Sequence, residues 1–124
     1  MRQRKCGLKL IGPISDMLFD QMIGAGCVSG VRAAWVGNVI TGSGYNFRRA
    51  VEAGRLQIED HSNLTLAMAL KAAALGVPFL PVRSTLGSDL LVTNSGLKPF
   101  NCPFSGDALA AVAAICPDVA IVHV

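Results

Sequence analysis

Between Leu64 and Leu75 only Thr65 and Lys71 interrupt an apolar run. A helix there is hydrophobic on almost every side and must be buried on almost every side. Its punctuation agrees: Ser62 or Asn63 suits the N-cap, while Gly76, with Pro78 two residues beyond, marks the stop. The pattern predicts a helix over 63–75, a short buried strand over 79–82, and then a polar loop carrying Arg83, Ser84, Thr85, Gly87 and Ser88. Such a helix covers a sheet and is itself covered by another segment or another subunit.

The remaining pattern alternates strands with helices. A strand ends over 9–11, and Pro13 and Ser15 open a helix running to Ile23, with Met17, Leu18, Met22 and Ile23 as its apolar face. Gly24 and Gly26 end that helix. A second strand covers 28–36, and the Gly- and Asn-rich tract 37–46 reads as a loop. A short helix over 47–53 carries Arg48 and Arg49, and 56–59 alternates as a strand does. The stretch 86–106 is rich in Gly, Asn, Ser and Pro and has no clear period. For 108–115 alanine favours helix, while 118–124 reads as a buried strand from its Val-Ala-Ile-Val content. The alternation predicts an α/β fold, an open and largely parallel sheet with covering helices, in one domain over 1–124. A terminal strand without a covering crossover predicts an incomplete domain.

Composition sharpens this. Hydrophobic residues make up 52% of the 124 and charged ones 15%, a shift toward burial against a partner. No apolar run reaches the ~20 residues of a membrane helix, and the basic start is too interrupted for a secretory signal. The reading is a cytoplasmic protein with no membrane partner. Arg2, Arg4, Lys5 and Lys9 carry the net charge of +3, since without them seven basic residues face eight acidic ones. The other cations form no stripe and have no interleaved aromatics, which argues against nucleic acid. Cys6, Cys27, Cys102 and Cys116 lie far apart, and His61 and His123 fit no zinc spacing. No metal is expected, and the cysteines read as free buried thiols.

Three segments carry candidate chemistry. Gly42-Ser43-Gly44 lacks the last glycine of a dinucleotide fingerprint, because that position is Phe47. It reads as a turn needing positive φ. The loop 83–89 follows a predicted buried strand, and ligands of open α/β sheets bind beyond the carboxyl ends of the strands. There Arg83 can pair with an anion or with Asp89, and Ser84 and Gly87 can expose amide donors. His61-Ser62-Asn63 opens the apolar helix, whose N-terminus favours anions, with plain capping by Ser62 or Asn63 as the alternative. Neither histidine is placed to activate a serine.

Four blocks in order, RAAWVGNV, NFRRAVEAG, PFLPVRSTLGSD and PDVAIVHV, strongly resemble the α-subunit of family I CoA-transferases. The resemblance spans 8–124 and implies the middle of a subunit, because the family has segments on both sides. It implies a hetero-oligomer with a β-type CoA-transferase subunit, acyl-CoA and a carboxylic acid as substrates, and no cofactor beyond coenzyme A as substrate. It also implies that Gly37, Asn38, Gly42 and Gly44 lie near the acyl-CoA pocket, and that 108–115 is a strand. The family's nucleophile is a glutamate of the β-type subunit in a Glu-Asn-Gly-like setting. This chain has only Glu52 and Glu59, neither in such a setting, so no catalytic residue is assigned to it. Glu52 sits three and four residues from Arg49 and Arg48, which accounts for it by helix pairing. The substrate-binding candidates are Gly37, Asn38, Gly42, Gly44, Ser62, Asn63, Arg83, Ser84 and Gly87. A CoA-thioester hydrolase of the same fold and a non-catalytic structural subunit fragment stay open as alternatives.

Overall fold

The computed structural model describes residues 5–38, 40 and 42–122. Its contacts divide the chain into two units, Met1–Leu66 and Ala67–Val124.

In the first unit, β1 (Leu8–Ser15), β2 (Val28–Asn38) and β4 (Gln57–Asp60) form a parallel sheet with β2 in the middle. The two-residue β3 (Gly42–Ser43) folds back antiparallel on the end of β2, pairing Gly37 with Ser43 and Asn38 with Gly42. Parallel neighbours need crossovers, and α1 (Met17–Gly24) and α2 (Tyr45–Glu52) supply them. The core joins Ile23 of α1 and Ala50 of α2 to Val31, Ala33 and Val36 of β2 and to Leu56, with Phe19 and Phe47 packed against it. Small residues let the layers close. A side chain at Gly12 would meet the Phe19 ring at 3.2 Å, and one at Gly24 would meet Asn46 of α2 at 2.8 Å.

The first helix starts later than the sequence pattern predicts. Ser15 is the buried last residue of β1, and Asp16 is the N-cap, its carboxylate accepting from the Leu18 amide at 3.3 Å. Pro13 belongs to β1 because that strand is an edge, paired among the described strands only with β2, and an edge tolerates a residue without an N–H. The second helix starts earlier, at Tyr45 instead of Phe47, where a carboxylate from α1 reaches its first turn.

The third helix, α3 (Asn63–Ala74), runs from the first unit into the second. Thr65, Leu66, Ala69 and Ala72 are fully buried along one side. The opposite stripe, Leu64, Ala67, Lys71 and Ala74, is exposed, so burial is one-sided where the apolar pattern predicted it almost all round.

The second unit holds an antiparallel sheet in the order β5–β7–β6, from β5 (Phe79–Val82), β6 (Leu97–Asn101) and β7 (Ala108–Ala113). Parallel pairing therefore belongs to the first unit's main sheet. The alanine-rich 108–113 is the central strand. Pairing on both sides and full burial of Ala110 and Val112 outweigh the few tenths of a kcal/mol by which helix propensities differ. The unassigned stretch contains β6 and the short α4 (Leu90–Thr93). Residues 118–122 are not the buried strand expected. They lie outside any strand or helix, and Val119, Ile121 and Val122 are at least three-quarters exposed. A strand's backbone groups need a neighbour, and none of the described strands pairs with this segment. The last two residues of that expected strand, His123 and Val124, lie outside the described residues.

Leu97 is completely buried, whereas Val92 is 86% exposed. Urea denaturation should show Leu97→Ala losing about 2–5 kcal/mol through lost burial and the cavity left behind. Val92→Ala should stay within about 0.5 kcal/mol. Equal losses at the two positions would contradict this packing.

Candidate functional site

A cleft of about 190 Å³ opens beside the ends of β1 and β2, lined by Asp16, Met17, Asp20, Gln21, Gly37, Asn38, Ser43, Gly44 and Tyr45. The lining is assembled from three places. α1 brings its capping residue and first two turns, β2 its last two residues, and β3 with the start of α2 the opposite wall. This is the carboxyl edge of the parallel sheet, where open α/β folds bind ligands.

Of the expected residues, Gly37, Asn38 and Gly44 line the cleft, whereas Gly42 lies in β3 outside the lining. Gly37 is small because a Cβ would come within 2.8 Å of both the Gly42 carbonyl oxygen and the Trp35 ring. Gly42 has φ of +88° and makes the turn into β3. The Asn38 side chain accepts from the Ile40 amide at 2.8 Å, an Asx turn that shapes the same bend.

Asp20 is a cleft residue that the sequence pattern did not single out. One carboxylate oxygen accepts from the Phe47 amide at 2.8 Å and the other from the Asn46 side-chain amide at 2.9 Å. The N-cap of α2 is Gly44, which has no side chain to cap with, so α1 supplies the capping carboxylate. A Cβ on Gly44 would lie 2.7 Å from that oxygen. The only sequence signal was a helix start whose own N-cap residue offered no acceptor.

At the start of α3 the cap is Ser62. Its hydroxyl accepts from the Thr65 amide at 3.1 Å, and Thr65 Oγ1 accepts from the Ser62 amide at 2.8 Å, a reciprocal pair. Asn63 is the exposed first helical residue. His61 is buried, with Nδ1 at 3.3 Å from Thr65 Oγ1 and Nε2 at 4.0 Å from Glu59. Glu59 also pairs with Arg32 of the adjacent strand. Burial pushes the His61 pKa below its usual value and outweighs the opposing pull of Glu59, while Arg32 lowers it further and Asp60 raises it. Neutral imidazole is therefore the native form near pH 7.

In the second unit, Arg83 pairs with Asp107, just before β7, instead of the expected Asp89. Ser84 is exposed. Gly87 has φ of +79° with open space where a Cβ would sit, so the backbone turn accounts for the glycine. Ser88 bonds the Thr85 carbonyl oxygen twice, through its hydroxyl at 2.9 Å and its amide at 3.1 Å. The Thr85 hydroxyl is buried without a hydrogen-bond partner among the described residues. The cysteines are free, as the spacing suggested, but none is buried: Cys6 and Cys116 are exposed, and Cys27 and Cys102 half-buried.

Two measurements probe these arrangements. Asp20→Ala should destabilise the protein by about 0.5–2 kcal/mol, the usual effect of losing an N-cap, and an unchanged denaturation midpoint would contradict the capping role. His61 binds its proton less readily folded than unfolded. Its stabilising contribution is therefore complete above the unfolded value of about 6.5 and declines by up to about 1.4 kcal/mol per pH unit as pH falls toward the folded value. His61→Gln should flatten that part of the stability–pH curve. An identical slope in wild type and variant would exclude His61 as its source.

The chain is similar to known proteins over nearly its whole length. It is 42% identical over 126 residues to the A-type subunit of the 3-oxoadipate CoA-transferase of Pseudomonas knackmussii, a match covering 99% of this chain and 45% of that protein. It is 33% identical over 140 residues to the corresponding subunit of the glutaconate CoA-transferase of Acidaminococcus fermentans, covering 99% and 44%. The chain thus spans less than half the length of either relative. The crystal structure of the latter enzyme superimposes with a TM-score of 0.80 at 29% identity, over 88% of this chain and 40% of that one. The sequence profile of the coenzyme A transferase family matches residues 14–124. The chain belongs to the coenzyme A transferase family.

Proposed function

We propose that the chain is part of an α-type subunit of a CoA-transferase, which moves CoA from an acyl-CoA to a carboxylic acid and contributes to the acyl-CoA pocket. The observation that carries this reading is the coincidence of family membership with a cleft at the carboxyl edge of the parallel sheet, lined by Gly37, Asn38 and Gly44. Relatives named for 3-oxoadipate and glutaconate favour a dicarboxylic acid as one substrate. In the first unit Gly42, Ser62 and Asn63 are further proposed substrate-binding residues; in the second unit, taken by itself, Arg83, Ser84 and Gly87 are proposed.

The nucleophile is proposed to come from a β-type partner subunit, in a cytoplasmic hetero-oligomer. A glutamate carboxylate attacks the thioester carbonyl, forming an acyl–glutamyl anhydride and releasing CoA thiolate. The thiolate then attacks the glutamyl carbonyl, releasing the first acid and leaving a glutamyl-CoA thioester, and the second acid reverses both steps. Neither glutamate of this chain suits that role. Glu52 is held by Arg48 at 2.9 Å and Glu59 by Arg32, and neither lines the cleft.

Borohydride reduction of the two-subunit enzyme with an acyl-CoA should label a glutamate of the partner and none on this chain. A reduced adduct at Glu52 or Glu59 would overturn the assignment. Arg83→Ala should lower kcat/KM by about tenfold or more, roughly 1.4 kcal/mol in the transition state, with stability changing by less than about 1 kcal/mol because the Asp107 pair is exposed. If Arg83 only holds its loop, Asp107→Ala will reproduce the loss; if Arg83 meets the substrate, Asp107→Ala will leave turnover intact. Wild-type turnover in Arg83→Ala would remove this loop from the site.

A further inference from the structure

The cleft beside β1 and β2 has an acidic lining. Its described lining includes Asp16 and Asp20 and no lysine, arginine or histidine, and the whole stretch 37–45 carries no charged residue. Two helices begin at this cleft, and a helix N-terminus is normally an attractive place for a phosphate. At each start a carboxylate of the protein already occupies one of the first-turn amides. Asp16 accepts from the Leu18 amide of α1, and Asp20 accepts from the Phe47 amide of α2. A phosphate entering here would find carboxylates where it needs donors. Arg49 offers no remedy, since it donates to the Tyr45 carbonyl oxygen at 3.2 Å and lies outside the lining.

The same walls suit a neutral chain that carries amides. Asp16 presents an acceptor at the rim, Gln21 and Ser43 offer both donors and acceptors, and Met17 and Tyr45, 59% and 65% exposed, add apolar surface. Coenzyme A divides into a phosphorylated nucleotide and an uncharged arm of methylenes and two amides that ends in the sulfur. We propose, on the acyl-CoA reading above, that this cleft receives the uncharged pantetheine arm of the thioester and turns away the nucleotide. The arm's amide N–H groups donate to Asp16 and to the side-chain oxygens of Gln21 and Ser43, while its methylenes lie along Met17 and Tyr45. Gly37 and Gly44 keep the floor free of side chains. Because the arm is neutral, its binding here is insensitive to ionic strength.

The test uses the full chain in complex with its partner, with each half of the coenzyme as a probe. Pantetheine should shift the backbone amide resonances of Gly37, Asn38, Ser43 and Gly44 equally at low and high salt, whereas adenosine 3′,5′-bisphosphate should leave them in place. Ser43→Trp, at an exposed position, should weaken pantetheine binding at least about tenfold and leave nucleotide binding unchanged. Gln21→Trp, on the α1 wall, makes the same measurement should the first substitution disturb β3. Nucleotide-induced shifts at these amides, or unchanged pantetheine affinity in both variants, would overturn the assignment. Acyl-CoA binding to the complex with the cleft resonances unmoved would remove the cleft assignment alone. Failure of the complex to bind acyl-CoA at all would remove the CoA-transferase reading beneath it.

Discussion

The first unit depends on one carboxylate. Asp20 lies on α1, yet its hydrogen bonds go to the start of α2, at the Phe47 amide and the Asn46 side chain. A helix leaves its first amides without partners, and Gly44 cannot satisfy them itself. The acceptor from the neighbouring helix fixes where α2 begins and how closely it approaches α1. Gly24 permits the same approach from the other side, since a side chain there would collide with Asn46. With the two crossover helices joined in this way, the turn from β2 through β3 is held at both ends and the cleft has defined walls.

Charge placement in that unit matches donors to acceptors in the same way. Arg32 and Glu59 face each other across paired positions of β2 and β4, and Glu59 also lies near the His61 ring. A buried neutral histidine beside an ion pair is stable only while the imidazole stays neutral, since burial disfavours its charged form. The Thr65 hydroxyl ties this ring to the cap of α3. The end of β4 and the start of the helix are thereby one hydrogen-bonded unit, and Ser62 is fully explained by its capping role there. Its place in the proposed substrate set rests on the anion-favouring N-terminus of α3.

In the second unit the antiparallel sheet draws its core from small residues. Ala110 and Val112 on the central strand are fully buried, as is Leu97 on β6. The loop 83–89 is held by Ser88 at the Thr85 carbonyl oxygen and by the Arg83–Asp107 pair. Within it the Thr85 hydroxyl alone is buried without a partner among the described residues. Leaving such a group unpaired costs about 1–3 kcal/mol.

The sequence by itself determined the elements whose signals are local. The span of α3, the strands around 28–36, 56–59 and 79–82, and the Ser62 cap were all legible because periodicity, capping residues and Gly-Pro stops act within a few neighbours. The strand 79–82 is nevertheless not the buried strand expected, since only Val82 in it is buried. The family was legible too, since four ordered blocks survive in the linear sequence. Tertiary structure decided whatever needed a distant partner. Pro13 and Ser15 became strand because an edge beside β2 accepted them, and 108–113 became strand because β5 and β6 flank it. Residues 118–122 took no regular form because none of the described strands pairs with them. The cleft's composition was equally hidden. Gly37, Asn38 and Gly44 stood out as a glycine-rich tract, whereas nothing in the local pattern singled out Asp20 on the preceding helix. Its role arises only when the fold brings two helix ends together, and no local pattern records which residue supplies a cap across space.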